Sequence, residues 1–352
     1  RGYVTACVCK WHLGDQPPFL PTRHWFDEFI GVPYSEDMVP TDAHPDRPPL
    51  PLMRGETVVE APVNRNELTR RYTEEAVDFI RRNQNRPFFL YLPHAMPGSS
   101  DEPFPGAAFQ GRSATGAYGD SVEELDWSAG KIMNTLDELD IDEMTLVVWT
   151  SDNGAVFHQP PQGSNAPLRG WGYSTTEGGQ RVPCIVRWPG KIPGGKVSSE
   201  IVTMMDFLPT FARLTGTQPP DDRIIDGQDV SQLLLGDNDI TSIYDEKGFF
   251  YYHMGQLQAV RAGAWKLYLP LESKITNLSG DYSRGKPVKA ELYDVREDPG
   301  GKHEVSARKP EVVGRLRDLA GEARADLGDW DREGGNQGAA GWVEDPTPQR
   351  PA

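Results

Sequence analysis

Four short stretches carry side chains able to do chemistry. CKWHLG presents Lys10 and His12, a cation and an imidazole two residues apart. His94 follows the apolar run PFFLYLP, Asp152 and Asn153 follow TLVVWT, and a glycine-rich loop runs between Arg169 and Arg181. Cations and imidazoles suit an anionic substrate, while an aspartate beside an asparagine carbonyl suits a hard cation such as Ca²⁺ or Mg²⁺ rather than zinc. Each has an ordinary reading when taken singly. Asp-Asn-Gly is a common turn, His94 after a proline fits a loop, and Lys10 fits a solvated surface. Their shared placement, each just past a strand-like segment, is what points to a site.

The elements that must position them read as follows. Residues 3–9 form a buried strand, and a proline-studded loop then runs through Pro62. The spacing of Tyr72, Ala76, Phe79 and Ile80 predicts a helix over 67–83, followed by a strand over 87–92. Asp120 and Glu123 make a capping box that starts the next helix, with Val122, Leu125, Ala129, Ile132, Met133 and Leu136 as its core stripe. TLVVWT over 145–150, continuously apolar and β-branched, predicts a strand covered on both faces of a parallel sheet. After the loop LRGWGYSTTEGGQRVP comes a strand over 184–188, then a helix over 203–215, kinked at Pro209 and closed by Gly216. Strands alternating with helices imply an α/β fold with a mostly parallel sheet between helices, and sites at the carboxyl ends of the strands.

From about Phe249 the pattern changes to short strands, FFYYH, LQAVRAG, AWKLYLP and ELYDV, and a closing helix over 310–326. This spacing predicts a smaller antiparallel sheet plus helix. The expected division is therefore a catalytic α/β domain at 1–245, an antiparallel subdomain at 246–328, and a polar, disordered tail at 329–352.

A net charge of -16 over 352 residues argues against nucleic acid or an anionic membrane as partner. Any anion site must then be built from local cations. No apolar run approaches the roughly 18 residues of a membrane span, and no signal peptide is visible. Arg1 stands directly against a strand, so the gene product is expected to begin upstream. Three cysteines cannot make a disulfide framework; Cys7 and Cys9 share a strand face, and with Cys184 they read as small buried hydrophobes. Asn277-Leu278-Ser279 is a glycosylation sequon by pattern.

Together these segments make the chain resemble the type I sulfatases, in the arylsulfatase A-like and N-acetylgalactosamine-6-sulfatase-like branch. The stretches that carry the resemblance are CKWHLG, FLPTRHWFDEFIGVPYSEDM, RPFFLYLPHAMP, TSDNGA, PLRG, EGGQRVPCIVRWPGKIP, DFLPT, LQAVRAGAWKLYLP and ELYDVREDP, in register up to about residue 328. The resemblance implies an alkaline-phosphatase-like fold and hydrolysis of sulfate esters, on small molecules or glycans, by an oxidised cysteine or serine, the formylglycine. By position, Lys10 matches the lysine that bridges nucleophile and sulfate, and His12 the histidine beside the formylglycine. His94 matches the histidine that contacts sulfate and protonates the leaving group, and Asp152 and Asn153 match two calcium ligands. An exported location is implied in the same way.

Three features depart from the family pattern. No Cys or Ser stands in the required Cys/Ser-x-Pro/Ala-x-Arg motif; the nearest, Ser164-Asn165-Ala166-Pro167, continues with Leu168. No aspartate pair follows an N-terminal strand, because Asp221-Asp222 sits behind Pro219-Pro220. The pattern L-R-G-x-K-G-x-T-x-E-G-G has a sulfate-clamping lysine where this chain has Gly172, a loss of on the order of 2 to 4 kcal/mol in transition-state binding. The expectation is an N-terminally incomplete, calcium-dependent sulfatase that is inactive as this chain alone. The alternatives are a non-catalytic pseudo-sulfatase that binds sulfated or polyanionic glycans, or a phosphodiesterase of the same superfamily.

Overall fold

The computed structural model describes residues 1–159, 161–237, 240–276 and 285–350. The sequon at 277–279 lies outside them. The chain forms two compact units, Arg1–Thr145 with His158–Gln162 and Gly341–Ala352, and Leu146–Phe157 with Gly163–Ala340. Segment 163–245 is thus grouped with the C-terminal sheet, and the units do not divide near residue 245. Part of the tail is tied down, since Thr347 N donates to Gln16 Oε1 at 2.9 Å and Gln16 Nε2 returns a bond to Thr347 O at 2.9 Å.

In the first unit a five-stranded sheet is built from β1 (Val4–Lys10), β2 (Glu28–Val32), β3 (Leu52–Arg54), β4 (Thr57–Glu60) and β5 (Phe88–Tyr91), in the order β4-β3-β2-β1-β5. β1 runs parallel to β2 and β5, whereas β3 and β4 add antiparallel edges, so the sheet is mixed. The segment read as one loop through Pro62 therefore holds three strands. They are three to five residues long, too short for an alternation to register.

β1 is central and covered on both faces. Val8 packs with Ile30, Val32, Leu68 and Tyr72, while Cys7 and Cys9 pack with Trp11, Phe29 and Met53 on the opposite side. The two thiols share a face as expected, with their sulfurs 3.1 Å apart. Helix α1 (Leu68–Asn83) buries Tyr72, Ala76, Phe79 and Ile80 as its periodicity requires. Just before it, the Asn64 side chain accepts from Asn66 N.

Helix α2 (Gly116–Glu138) corrects the capping-box reading. It begins a turn earlier, and the buried Asp120 carboxylate reaches back to accept from Gly111 N and Ser113 N at 2.8 and 2.7 Å. Its buried side is Ser121, Glu124, Ser128, Thr135 and Leu136, and Val122 of the expected apolar stripe is exposed. Leu136 of the expected stripe is buried, and α1 packs against α2 with a surface that includes the buried Thr69 and Thr73. Small polar groups that bond one another pack there without an unpaired cost.

In the second unit β6 (Val147–Thr150) pairs antiparallel with β7 (Cys184–Arg187) in a two-stranded sheet. The expected parallel neighbours are absent among the described residues of this sheet, and Trp149, Cys184 and Ile185 are exposed. Cys184 is therefore not a buried hydrophobe. Short helices α3 (Glu177–Gln180), α4 (Phe207–Leu214), α5 (Ser231–Leu234) and α6 (Tyr244–Lys247) follow. Pro209 falls in the first turn of α4, where its missing N–H is not needed, so the position calls for no kink. The capping box here is Thr203 with Asp206, and Gly216 ends the turn at φ 67.

The four strands read from the sequence appear as β8 (Phe249–His253), β9 (Gln256–Ala262), β10 (Trp265–Tyr268) and β13 (Glu291–Asp294), while β11 (Leu271–Lys274) and β12 (Lys286–Val288), which were not read, form a separate pair. Four of these form one sheet in the order β13-β10-β9-β8, and α7 (Pro310–Asp326) buries Leu316, Ala320 and Ala323 against it. No described helix is long and apolar enough to cross a membrane.

Candidate active site

In the first unit the site grows from the carboxyl end of β1. Lys10 N donates to Pro93 O at 2.9 Å, and Trp11 N and His12 N donate to Val32 O and Pro33 O at 3.0 and 3.1 Å. The chain leaving β1 is thereby held between its two parallel neighbours. Trp11 anchors it further, with a buried ring and an indole N–H donating to Phe19 O at 2.7 Å. His12 is exposed and left-handed, at φ 56, a conformation that costs a non-glycine residue of order 1 kcal/mol. Strain of this kind persists where the surrounding bonds enforce it.

The Lys10–Pro93 bond brings Lys10 and His94 to the same end of the sheet. His94 Nε2 lies 3.1 Å from Ser128 Oγ on α2, and its ring sits 6.2 Å from that of Tyr72. Nδ1 is buried and without a partner. Burial pushes the imidazole down to about 4, so His94 is neutral at neutral pH.

In the second unit Asp152 and Asn153 follow β6 as expected. Asp152 Oδ1 accepts from Asn153 N at 2.9 Å, and Asn153 Nδ2 donates to Gly154 O at 2.9 Å. These are two hard-oxygen donors, whereas Ca²⁺ takes six to eight. Among the described residues no group of three or more His, Cys, Asp or Glu gathers around a metal position. The pair fits part of a calcium shell and does not make one.

The same segment is knitted to the glycine-rich loop. Gly154 N donates to Gly179 O at 3.1 Å, Gly172 N to Ala155 O at 2.8 Å, and Asn165 Nδ2 to Ala155 O and Gly170 O at 2.9 and 3.1 Å. The strands of this loop lie so close that a Cβ at Gly154 would stand 1.8 Å from Gly178 O. At Gly172 a Cβ would stand 2.5 Å from Gly154 O, so the loop as folded has no room for a side chain there. Next to it Tyr173 is left-handed at φ 60, where the family pattern has glycine. Arg169 is spent on structure, donating to Tyr293 OH at 3.1 Å and lying over the Tyr268 and Tyr293 rings.

Sequence reasoning missed two sets of residues. One is Thr73 and Ser128, behind His94. The other is the buried Glu177, whose carboxylate accepts from Lys266 Nζ at 2.8 Å and faces Arg261 Nη1 at 3.3 Å. Lys266 also donates to Thr175 O at 2.8 Å and lies 3.5 Å from the centre of the Tyr251 ring. The available signal was a lysine inside the apolar strand AWKLYLP, which must find an anion if it is buried.

Solved structures place this fold in the alkaline-phosphatase-like α/β class. A sulfatase from Pseudoalteromonas sp. superposes with TM-score 0.79 at 23% identity, covering 92% of this chain and 70% of that one. A structure from work on glycosaminoglycan metabolism by Bacteroides thetaiotaomicron gives 0.74 at 25% identity, covering 92% and 80%. The chain belongs to the sulfatase family: residues 1–217 match the Sulfatase profile, and residues 174–319 match the C-terminal profile of N-sulphoglucosamine sulphohydrolase. It is 41% identical to N-acetylgalactosamine-6-sulfatase of Canis lupus familiaris over 280 residues, 76% of this chain and 52% of that protein. With Arylsulfatase A of Homo sapiens it shares 34% over 356 residues, 91% of this chain and 68% of that protein. The chain spans about half the length of the N-acetylgalactosamine-6-sulfatases it matches.

Proposed function

We propose that this chain supplies the anion-holding and proton-handling part of a sulfuric ester hydrolase acting on a sulfated glycan or small molecule. The observation that carries the reading is the Lys10 N to Pro93 O bond, which sets a cation and a neutral, half-buried imidazole at one strand end. In this reading Lys10 holds sulfate oxygens and His12 assists collapse of the sulfated nucleophile. The nucleophile, a formylglycine from sequence outside these 352 residues, attacks sulfur; the ester S–O bond breaks, and the departing oxygen takes a proton from His94. Burial favours neutral His94, and an arriving sulfate favours its protonated form, so binding loads the acid. Asp152 and Asn153 would supply two of the oxygens that hold calcium, which would stabilise negative charge on oxygen. Export from the cytoplasm belongs to the same reading.

The test is turnover of an aryl sulfate and an aryl phosphate. The chain alone is expected to turn over neither. Joined to a segment bearing an aspartate pair and a Cys-x-Pro-x-Arg motif, it is expected to cleave the sulfate, with Lys10→Ala costing ~10² or more in rate. Cleavage of the phosphate alone would move the protein to the phosphodiesterase reading.

A second reading has its own support. The closed backbone at Gly172 removes the place of the second sulfate-clamping lysine, which favours a pseudo-sulfatase that binds sulfated or polyanionic glycans. Binding of such a glycan by the completed protein without turnover would establish it.

A further inference from the structure

We propose that Glu36 is a positioning residue for His94, because its carboxylate ties the segment leaving β5, which carries the imidazole, to the segment leaving β2. These two strands flank β1 on either side, so the tie joins their ends across the strand end that bears Lys10 and His12. Glu36 is 0% exposed, and a carboxylate taken out of water persists only where donors hold it. Both of its oxygens are held. Oε2 accepts from Ser35 Oγ at 2.9 Å within its own segment, and Oε1 accepts from Ser99 N at 3.0 Å on the other. The adjacent side chains repeat the connection, with Ser99 Oγ donating to Asp37 Oδ2 at 3.1 Å.

The backbone is shaped to admit the carboxylate. Gly98 has φ 69, and a Cβ there would collide with Glu36 Oε1, so the approach needs glycine. From a third side Arg65, just ahead of α1, donates through Nη1 to Glu36 O at 3.1 Å, and its guanidinium lies 3.7 Å from the centre of the Phe104 ring. His94 thereby stands between two fixed points. Before it, Pro93 O takes the Lys10 N–H; after it, Ala95 and Met96 enter the core and Ser99 is bound to Glu36. The proposal rests on the sulfatase reading only for the use of the imidazole as an acid.

The test is the titration of His94, followed by ¹H–¹³C correlation on the full chain with labelled histidine, with His94→Gln to assign the signal and the midpoint read from the folded chain. Wild type should titrate at about 4; the groups packed on the ring, Ser128 and Tyr72, stay neutral there, so the midpoint reports how far water reaches it. Glu36→Ala frees the segment after His94, and the midpoint should rise by about one unit or more towards the ordinary 6.5. Loss of a negative charge alone would move it down, so a rise reports the lost position. Glu36→Gln keeps an oxygen for Ser99 N and offers Ser35 Oγ an amide N–H, and should leave the midpoint where it is or lower. Glu177→Ala, which weakens the second unit, should leave it unchanged. Where Glu36→Ala fails to fold, Gly98→Ala decides, since its methyl pushes Glu36 Oε1 off Ser99 and should produce the same rise. A wild-type midpoint already near 6.5, no rise in Glu36→Ala, or an equal rise in Glu36→Gln or Glu177→Ala overturns the proposal. Turnover plays no part in this readout, so an inactive completed protein would sink the catalytic reading and leave the positioning to be decided by the titration.

Discussion

Lys266 in the second unit is a buried ionisable group and His94 in the first a half-buried one with an inaccessible Nδ1, and the fold completes them differently. Lys266 has a carbonyl, a carboxylate and an aromatic face around its ammonium. Burial still lowers its pKa, but Glu177 and the carbonyl hold the charge, and the result is an anchor between the glycine-rich loop and the antiparallel sheet. His94 has one nitrogen bonded and one open. The difference separates a buried charge with its partners in place, which serves the fold, from an imidazole with one nitrogen bonded and one not.

The sharpest way to break this contrast is Glu177→Ala. It leaves Lys266 and Arg261 as facing, uncompensated cations, and should cost about 3–5 kcal/mol in urea unfolding of the second unit. A loss below 1 kcal/mol would show that the cluster is no anchor. His94 gives the next effect. Its pKa is about 4 when folded against 6.5 otherwise, so above pH 6.5 both states are neutral and the burial is free of charge cost. As the pH falls from 6.5 towards 4 the unfolded chain takes up a proton that the folded chain does not, and stability should drop by up to about 3 kcal/mol. Stability curves of wild type and His94→Gln that run parallel across this window would refute it.

Gly172→Ala tests the closed loop beside these anchors. Backbone oxygen must give way to the new methyl, at a cost of about 1–3 kcal/mol in the unfolding free energy. An unchanged value would mean that the loop opens readily, and would restore room for a side chain. The smallest effect is expected at Arg70, whose pairs with Glu67 and Glu74 lie in solvent. Arg70→Ala should change stability by about 0.5 kcal/mol, less in high salt, against the several kcal/mol of the buried pair.

Much of the first unit was legible from residue types. β1, α1 and β5 follow from apolar runs and a 3.6-residue stripe, and the strand ends named Lys10 and His94 as site candidates. α2 was read in part: Leu136 of the apolar stripe is buried and Leu125 half-buried, but Val122 is exposed and the most buried positions include Ser121, Glu124, Ser128 and Thr135, which apolar spacing does not single out. For the same reason Ser128 was invisible: a serine in a helix has no signal of its own until a histidine is found across from it. β2, β3 and β4 were lost because pairing, of β2 with β1, β3 with β2 and β4 with β3, rather than alternation within five residues or fewer, makes them strands.

The sequence by itself determined the family, the α/β and antiparallel parts, and which cations, imidazoles and oxygens stand at strand ends, because these depend on local pattern and residue type. Only the tertiary structure decided how each is completed. A Cβ at position 172 would meet Gly154 O at 2.5 Å, the carboxylate of Glu177 anchors Lys266, and the hydroxyl of Ser128 stands 3.1 Å from His94 Nε2. These are matters of distance between segments far apart in the chain, which no spacing of letters encodes.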